Sequence, residues 1–537
     1  MLRTVPNMIR TRLQRLKEKD TRRVFGVVLG GKMLGLATLL GLIKLFTWVL
    51  GDAAGASMLQ ETVHKTGDFI NPINTMWVLV AAFLVFFMQA GFMALEAGFA
   101  RSRETVNILL ECVFDTCLCG VLYWAIGFAF QFGAGNGLIG HHYFFLQGIP
   151  KTYDYGGAFD THVAFLAFFL FQFAFADTAS TVTSGAMVGR TGFKGDILYS
   201  ICVSGFIYPI FGHWVWGPGG WLGTTMGWFS GMANGTWFRD FAGSSVVHMV
   251  GGVIALMGAI VLGPRLGRKF KRDGGGPLPP HDLTMGAIGA VILWFGWYGF
   301  NPGSTLSGMD WEGIGRVAAN TTLAACAGGL VAVIFLYPRS KTWDLPVSLN
   351  GFLGGLVAIT APCYWVTPTA ALAIGAIAGI IVPLGVDLLE HVRIDDPIGA
   401  VPVHLMCGIW GCLSIGLFAS GDFGLPGPDG ADTSTVVKGL FYGGGGQQLL
   451  TQFIGVVTCF VVVGAAGFLV MKVVSMIPGT WNLRVSQDGE LEGLDLHEHG
   501  TAAYHVEFGQ GMTYTTPAGL PGPVNLRGSS KPVDETV

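Results

Sequence analysis

Charge is what this 537-residue sequence has least of: Asp, Glu, Lys and Arg make up 12% of it, against about 25% in an ordinary soluble domain. That scarcity excludes a disordered chain, which stays open because it is polar and charged. It also excludes a nucleic-acid binder, which needs a basic surplus. The two signs nearly balance at a formal net charge of −3, so bulk charge selects no partner. The nine cysteines form no CxxC pair and no even framework. Cys202, Cys326 and Cys459 sit inside apolar runs, where a thiol behaves as a small hydrophobe. What the chain has instead is apolar surface: 51% of it is hydrophobic, and its mean hydropathy is +0.55. A two-domain soluble enzyme has no place for that excess. The composition predicts an all-α polytopic membrane protein.

A helix crosses a bilayer in about 20 apolar residues. Runs of this kind lie near 24–50, 74–100, 108–132, 161–189, 194–216 and 241–263, then 282–303, 315–337, 346–362, 367–389, 399–420 and 446–477. Glycine, at 82 residues, recurs inside most of them, which suits close helix contact in lipid. Basic residues mark alternate loops: Arg101 and Arg103, Arg190 and Lys194, Arg265 to Arg272, Arg339 and Lys341, and Arg393. The loops between hold little beyond Lys151, Arg239 and Lys438. Every second loop is therefore expected in the cytoplasm, and the tail with them. Three regions follow: a basic N-terminus with one hydrophobic segment over 1–60, a transmembrane domain over 74–478 and a cytoplasmic tail over 479–537. The first segment reads as an anchor helix or as a long signal segment cleaved near Ala54-Gly55-Ala56, and Lys32, Lys44 and its length favour the anchor.

Two segments share the spacing D-x2-G-x3-V-H-x3-G. One runs from Asp240 through Gly243, Val247 and His248 to Gly252, the other from Asp396 through Gly399, Val403 and His404 to Gly408. They open the fifth and tenth spans counted from 74–100. Five is odd, so the copies cross the membrane in opposite senses, as in transporters built from inverted repeats. Each histidine lies eight residues beyond its aspartate, about 12 Å deep at 1.5 Å per residue. In a hydrocarbon core of about 30 Å the two rings then fall within roughly 6 Å of one depth. A buried pair that only locks two helices is the plain alternative, but ionisable side chains inside a membrane are functional by default. For Asp240 and Asp396 helix capping alone suffices.

Asp240 to His248 with Gly263-Pro264-Arg265, Trp297 to Ser304, and Asp395 to Gly411 resemble motifs of the ammonium transporter (Amt/Rh) family. The tail from Leu483 through Gly493-Leu494-Asp495 to Tyr504 resembles the family's tail, so the likeness spans 74–505. It implies an eleven-helix transporter fold with an inverted five-helix repeat, here with one extra N-terminal segment. It also implies a homotrimer in the plasma (inner) membrane with one pore per subunit, no enzymatic activity and no cofactor or metal. A PII-type protein would be the regulatory partner at the cytoplasmic face, and lipid and ammonium or ammonia the other partners. The resemblance places the ammonium-binding site on Trp216, Phe175 and Ser304. It puts the phenyl gate on Phe175 and Phe300, the pore pair on His248 and His404, and a structural or deprotonating acid on Asp240.

Read on their own, these residues are less equal. Trp216 shares its region with Trp214, Trp221 and Trp228, as an interfacial aromatic belt would. Phe175 lies in a phenylalanine-rich run where packing accounts for any one ring. Asn301-Pro302-Gly303 is expected to break its helix and open a vestibule at Ser304. Three features depart from the family. Met187-Val188-Gly189-Arg190 replaces a common Ala-Glu-Arg, Asp177 adds a mid-membrane acid that either pairs with a neighbouring helix or accepts a proton, and the N-terminal segment is extra. Two rival readings stand beside transport. One is an ammonium sensor of the same fold with little flux, although 479–537 is short for a signalling domain. The other is a membrane enzyme holding a metal at the histidines, for which the ligands are too few.

Overall fold

The computed structural model describes residues 69–157, 160–223, 236–432 and 436–504, all within one unit spanning Thr66–Val537. The 24–50 run, its cleavage site, Trp228 and the end of the tail lie outside the described residues. Among the described residues, ten helices are long and apolar enough to cross a membrane: α1 (Ile70–Phe99), α2 (Ser102–Phe132), α3 (Phe165–Gly185), α4 (Phe193–Trp216), α5 (Ser244–Leu262), α6 (Leu283–Gly303), α7 (Trp311–Ser340), α9 (Pro368–Val392), α10 (Val401–Phe418) and α11 (Gln447–Ser475). The shorter α8 (Leu345–Thr360) stands between α7 and α9. These eleven fall on the eleven apolar runs from 74 onward. Beside short 3₁₀ turns, the described residues also form a small hairpin, β1 (Leu425–Gly427) with β2 (Gly430–Asp432), and two tail helices, α12 (Gln487–Glu492) and α13 (Leu494–His499).

Local sequence sets the helix starts. Asp282, Asp310, Asp344 and Thr367 each accept a backbone N–H three residues on, at 2.9, 3.0, 3.0 and 3.3 Å. These are N-caps, and they satisfy donors that no helical turn can reach. The outward faces carry single large apolar side chains such as Phe83, Phe86 and Phe87 on α1 and Phe453, Val461 and Leu469 on α11. Lipid accepts these faces as water would not. The inward faces are small. A Cβ on Gly98 of α1 would lie within van der Waals overlap of the Gly286 backbone of α6, and one on Gly289 would overlap Leu95. Reciprocal contacts of this kind let two backbones approach where hydrophobic drive is absent.

The same reciprocity joins α5 to α10. A Cβ at Gly252 would stand 2.6 Å from the Leu405 nitrogen, and one at Gly408 2.7 Å from the Ser244 carbonyl with Met249 beside it. Gly252 and Gly408 hold the same place in the repeat, as do Leu405 and Met249, each next to a histidine. The two helix entrances also match. Asp240 accepts from the N–H groups of Gly243, Ser244, Ser245 and Val246 at 2.7–3.0 Å. Asp396 accepts from those of Gly399, Ala400 and Val401 at 2.8–3.1 Å. Gly243 and Gly399 both take a positive φ, at 117° and 82°, to turn the chain into these caps. Asp396→Ala should therefore lower stability by about 1–2 kcal/mol, read as a fall in thermal midpoint in detergent, and Asp396→Asn should recover much of it.

Charges gather at the end of the bundle that the tail covers. Asp395 is gripped by Arg265 through Nε at 2.8 Å and Nη2 at 3.0 Å. Burial alone would raise this carboxyl, but Arg265 and Arg190 outweigh it and hold it well below the usual carboxylate range. Arg190 is fully buried and spends its guanidinium on the carbonyls of Ala186, Val188, Gly263 and Asp395 at 2.7–3.1 Å. Where the resemblance implies an acid, Gly189 takes a positive φ, and a Cβ there would overlap the Glu104 carboxylate. The tail closes this layer: Arg484 bonds Glu490 at 2.8 Å and the Leu262 carbonyl, and Glu490 accepts from the Leu266 N–H at 2.6 Å.

Candidate functional site

One end of the bundle opens in a cavity of about 500 Å³ whose lining includes Trp216, Trp237, Asp240, Ser304 and Trp365. Arg239 packs over the rings of Trp237 and Trp365, at 4.1 and 5.2 Å from their centroids. Those faces already hold a cation, and Trp216, Phe241 and Tyr155 are the other aromatic residues of the lining. Trp216 closes the last turn of α4, and its indole N–H donates to the Asp240 carbonyl at 2.7 Å. Asp240 thus fixes the tryptophan with its main chain while its carboxylate is filled by four N–H groups and the Ser245 hydroxyl at 2.6 Å.

Ser304 corrects one expectation. The Asn301-Pro302-Gly303 sequence does not interrupt a span: α6 continues through Pro302 and ends at Gly303, with Ser304 as its C-cap. Pro302 has no N–H to give the Tyr298 carbonyl, so α6 lacks one bond in its last turn and ends at the next residue. The Ser304 hydroxyl donates to the Phe300 carbonyl at 2.8 Å, so its oxygen lone pairs stay available to an incoming N–H donor.

Below this mouth the side chains form a column of rings. Trp216 meets the edge of Phe175 at 6.0 Å between centroids. Phe175 stacks on Phe300 at 4.0 Å and 23°. Phe300 lies 5.5 Å from the His248 ring at 26°. His248 in turn lies 5.3 Å from His404 at 23°, with their Nδ1 atoms 3.2 Å apart. Phe175 is 1% exposed, and Phe300 and His248 are 0% exposed, so the column is sealed from the vestibule by the phenyl pair. Every candidate named from the sequence lies on this one line or at its mouth.

One residue on the line was not singled out. Trp297 stacks on His248 at 5.2 Å and 15° and anchors its indole N–H on Thr360 at 2.9 Å. Its signal was present: it precedes Phe300 by three residues, one helical turn on the same face.

Between the histidines one Nδ1 must donate and the other accept, so two neutral rings suffice for the contact. Among the described residues the Nε2 of His248 has no hydrogen-bond partner. Among the described residues no group of three or more His, Cys, Asp or Glu converges as a metal site. The arrangement offers a cation a ring and a hydroxyl at the mouth, then offers a small neutral molecule a row of aromatic walls with hydrogen-bonding nitrogen at the centre.

A sequence profile described as the Ammonium Transporter Family matches residues 76–504. The chain belongs to that family. It is 40% identical over 455 residues to the ammonium transporter Amt2 of Archaeoglobus fulgidus, covering 84% of this chain and 91% of that one. It is 37% identical to ammonium transporter 1 member 3 of Solanum lycopersicum, covering 80% and 93%. Among solved structures, a sensor Amt protein superposes with a TM-score of 0.69 at 34% identity, over 80% of this chain and 99% of that one. Mep2 of Saccharomyces cerevisiae gives 0.67 at 25% identity, over 78% and 88%. The fold is thus that of the family, a multi-pass membrane protein and a transporter type rather than an enzyme.

Proposed function

We propose that this ammonium-transporter chain captures ammonium at Trp216, Phe175 and Ser304, removes its proton there and passes ammonia between Phe175 and Phe300 along His248 and His404. The observation that carries the reading is the Nδ1–Nδ1 contact of 3.2 Å between two buried imidazoles directly beneath the stacked phenyl pair. Ammonium and potassium have one charge and similar size, and an aromatic ring attracts both. Only ammonium carries N–H donors for the Ser304 oxygen. The sealed column completes the choice. A bare ion entering a low-dielectric interior meets a cost of order 20 kcal/mol before relaxation, and ammonia, having left its proton outside, avoids most of it. Imidazoles walled by aromatic rings, with no carboxylate touching them, are disposed to stay uncharged, and so can accept from and donate to ammonia in turn.

Asp240, filled by five donors, serves as a positioning group: it builds the α5 entrance and orients Trp216. We place the tail in the cytoplasm and the protein in the plasma membrane as a homotrimer, each subunit with its own column, with the PII-type partner at the cytoplasmic mouth. Uptake into proteoliposomes under an inward ammonium gradient tests the reading. Ammonium should enter at least tenfold faster than into empty vesicles, and equimolar potassium should not reduce it. A second reading, an ammonium sensor, is favoured by the likeness to the sensor Amt protein. Saturable ammonium binding without uptake above empty vesicles would select it and sink the transport reading.

A further inference from the structure

The mouth of a cation path carries a fixed cation of its own. Arg239 lines the cavity, its guanidinium 4.1 Å from the Trp237 centroid and 5.2 Å from that of Trp365. A guanidinium keeps its charge in a protein and stacks well on aromatic faces. Among the described residues that line the cavity, Asp240 is the one other charged side chain. The two formal charges cancel, so the capture of a cation falls to rings and hydroxyls.

The place of Arg239 is built. Gln452 of α11 accepts from its backbone N–H at 2.8 Å and donates to its carbonyl at 2.8 Å. The same amide donates to the Cys412 carbonyl and accepts from Gln448, both at 2.9 Å. Gln448 also donates to the Trp237 carbonyl at 3.0 Å. Both glutamines are buried, at 2% and 0% exposure, where a lost bond is expensive. Phe238 lies so close to α11 that a Cβ at Gly455 would overlap its ring. Trp365, for its part, fastens its indole N–H on the Gly424 carbonyl at 2.9 Å. The guanidinium and both rings are thus held by separate anchors.

The size of the cavity gives this arrangement its use. It measures about 500 Å³, whereas a water molecule, roughly the size of ammonium, takes about 30 Å³ in the liquid. A space of this volume admits organic molecules many times larger. Trp216, Trp237 and Trp365 all line it, and aromatic rings in such number make the cage that binds quaternary ammonium. A quaternary cation has no N–H for Ser304 and no proton to leave behind. Once lodged, it can only block.

We propose that Arg239 is a resident cation that fills the faces of Trp237 and Trp365 and so keeps larger organic cations, quaternary ammonium above all, out of the mouth. The inference rests on the reading that ammonium is captured at Trp216, Phe175 and Ser304. An arriving quaternary cation must displace the guanidinium from two rings or settle beside a like charge. Ammonium is taken at Trp216 and Phe175, rings that the guanidinium does not cover.

Tetramethylammonium is the probe, titrated by calorimetry against the full-length protein in detergent and added to proteoliposomes that are taking up ammonium. Arg239→Ala should bind it at least tenfold more tightly than the unaltered protein, and the concentration that halves ammonium uptake should fall by a similar factor. Arg239→Lys, which keeps a cation at the rings, should stay within threefold of the unaltered protein. Trp237→Leu added to Arg239→Ala should abolish the gain, which a general loosening of the mouth would not do. Should Arg239→Ala fail to assemble, Arg239→Met, apolar and of similar reach, should still gain at least threefold. Equal binding by the unaltered protein and these uncharged variants overturns the inference, as does a gain that survives Trp237→Leu. Ammonium uptake without any such gain overturns the inference alone, whereas the gain without ammonium uptake defeats the transport reading alone.

Discussion

A protein carrying His248→Ala and His404→Ala together should lose ammonium transport by about tenfold to a hundredfold. The two rings touch each other, and His248 is held between Trp297 and Phe300. Alanine removes every nitrogen that can bond to ammonia along this stretch. A hydrogen bond in a protein is worth about 0.5–1.5 kcal/mol net, and each 1.4 kcal/mol is about tenfold. Two lost bonds at the histidine pair reach the stated range. The single variants should fall between, His248→Ala lower than His404→Ala, because His248 touches the phenyl gate and His404 does not. Currents on solid-supported membranes that were unchanged in the double variant would refute a role for the pair. A thermal midpoint measured alongside separates that outcome from simple unfolding, since the shells of Trp297 and Phe300 remain to pack the gap.

Much of this architecture can be read from residues alone, for a physical reason. Spans are contiguous and apolar, so the eleven runs from 74 onward coincide with the eleven helices. The histidine pair is legible because a repeat of fixed spacing, placed on spans of opposite direction, puts equal depths together by arithmetic. Ring order is different. That Phe175 stacks on Phe300 at 4.0 Å depends on how α3 and α6 rotate about their axes, and no local pattern in the phenylalanine-rich run distinguishes Phe175 from Phe171 or Phe173. The resemblance, not the run, singled it out. Trp297 escaped notice for a related reason, since a tryptophan in a span reads first as packing.

The run ending at 303 matches the end of α6, and Ser304 lines the mouth as expected, but the helix runs through Pro302 instead of breaking at it. A polar stripe on α2 was visible in principle. Asn107, Glu111, Asp115, Cys119 and Tyr123 stand four apart, but a hydropathy window averages over a whole turn and dilutes them among leucine, valine and phenylalanine. Periodicity within a span carries information that the mean of the span discards. The same holds for Gly189, whose meaning appears only once Glu104 is seen to occupy the space a side chain there would need.

Gly252→Val should do more damage than any conservative change in the pore, and through backbone alone. The missing Cβ at 252 would sit 2.6 Å from the Leu405 nitrogen and 3.0 Å from the His404 carbonyl carbon. These are main-chain atoms of the facing helix and cannot rotate aside, so α5 and α10 must separate. Overpacking of this kind costs about 1–3 kcal/mol for added methylenes in a core, and a branched side chain against backbone belongs at or above the top of that range. Separation also draws apart the two nitrogens 3.2 Å from each other, so transport should fall with stability. Gly408→Val should behave alike, because Gly408 faces the Ser244 carbonyl at 2.7 Å across the same crossing. Gly315→Ala, on α7 with nothing within 4 Å of its Cβ position, is the control. It should leave transport intact and gain up to about 1 kcal/mol of helix propensity. Thermal midpoints and uptake measured on the three variants decide the matter: a Gly252→Val protein as stable and as active as Gly315→Ala would mean that the repeat's two glycines do not set the distance between the histidines.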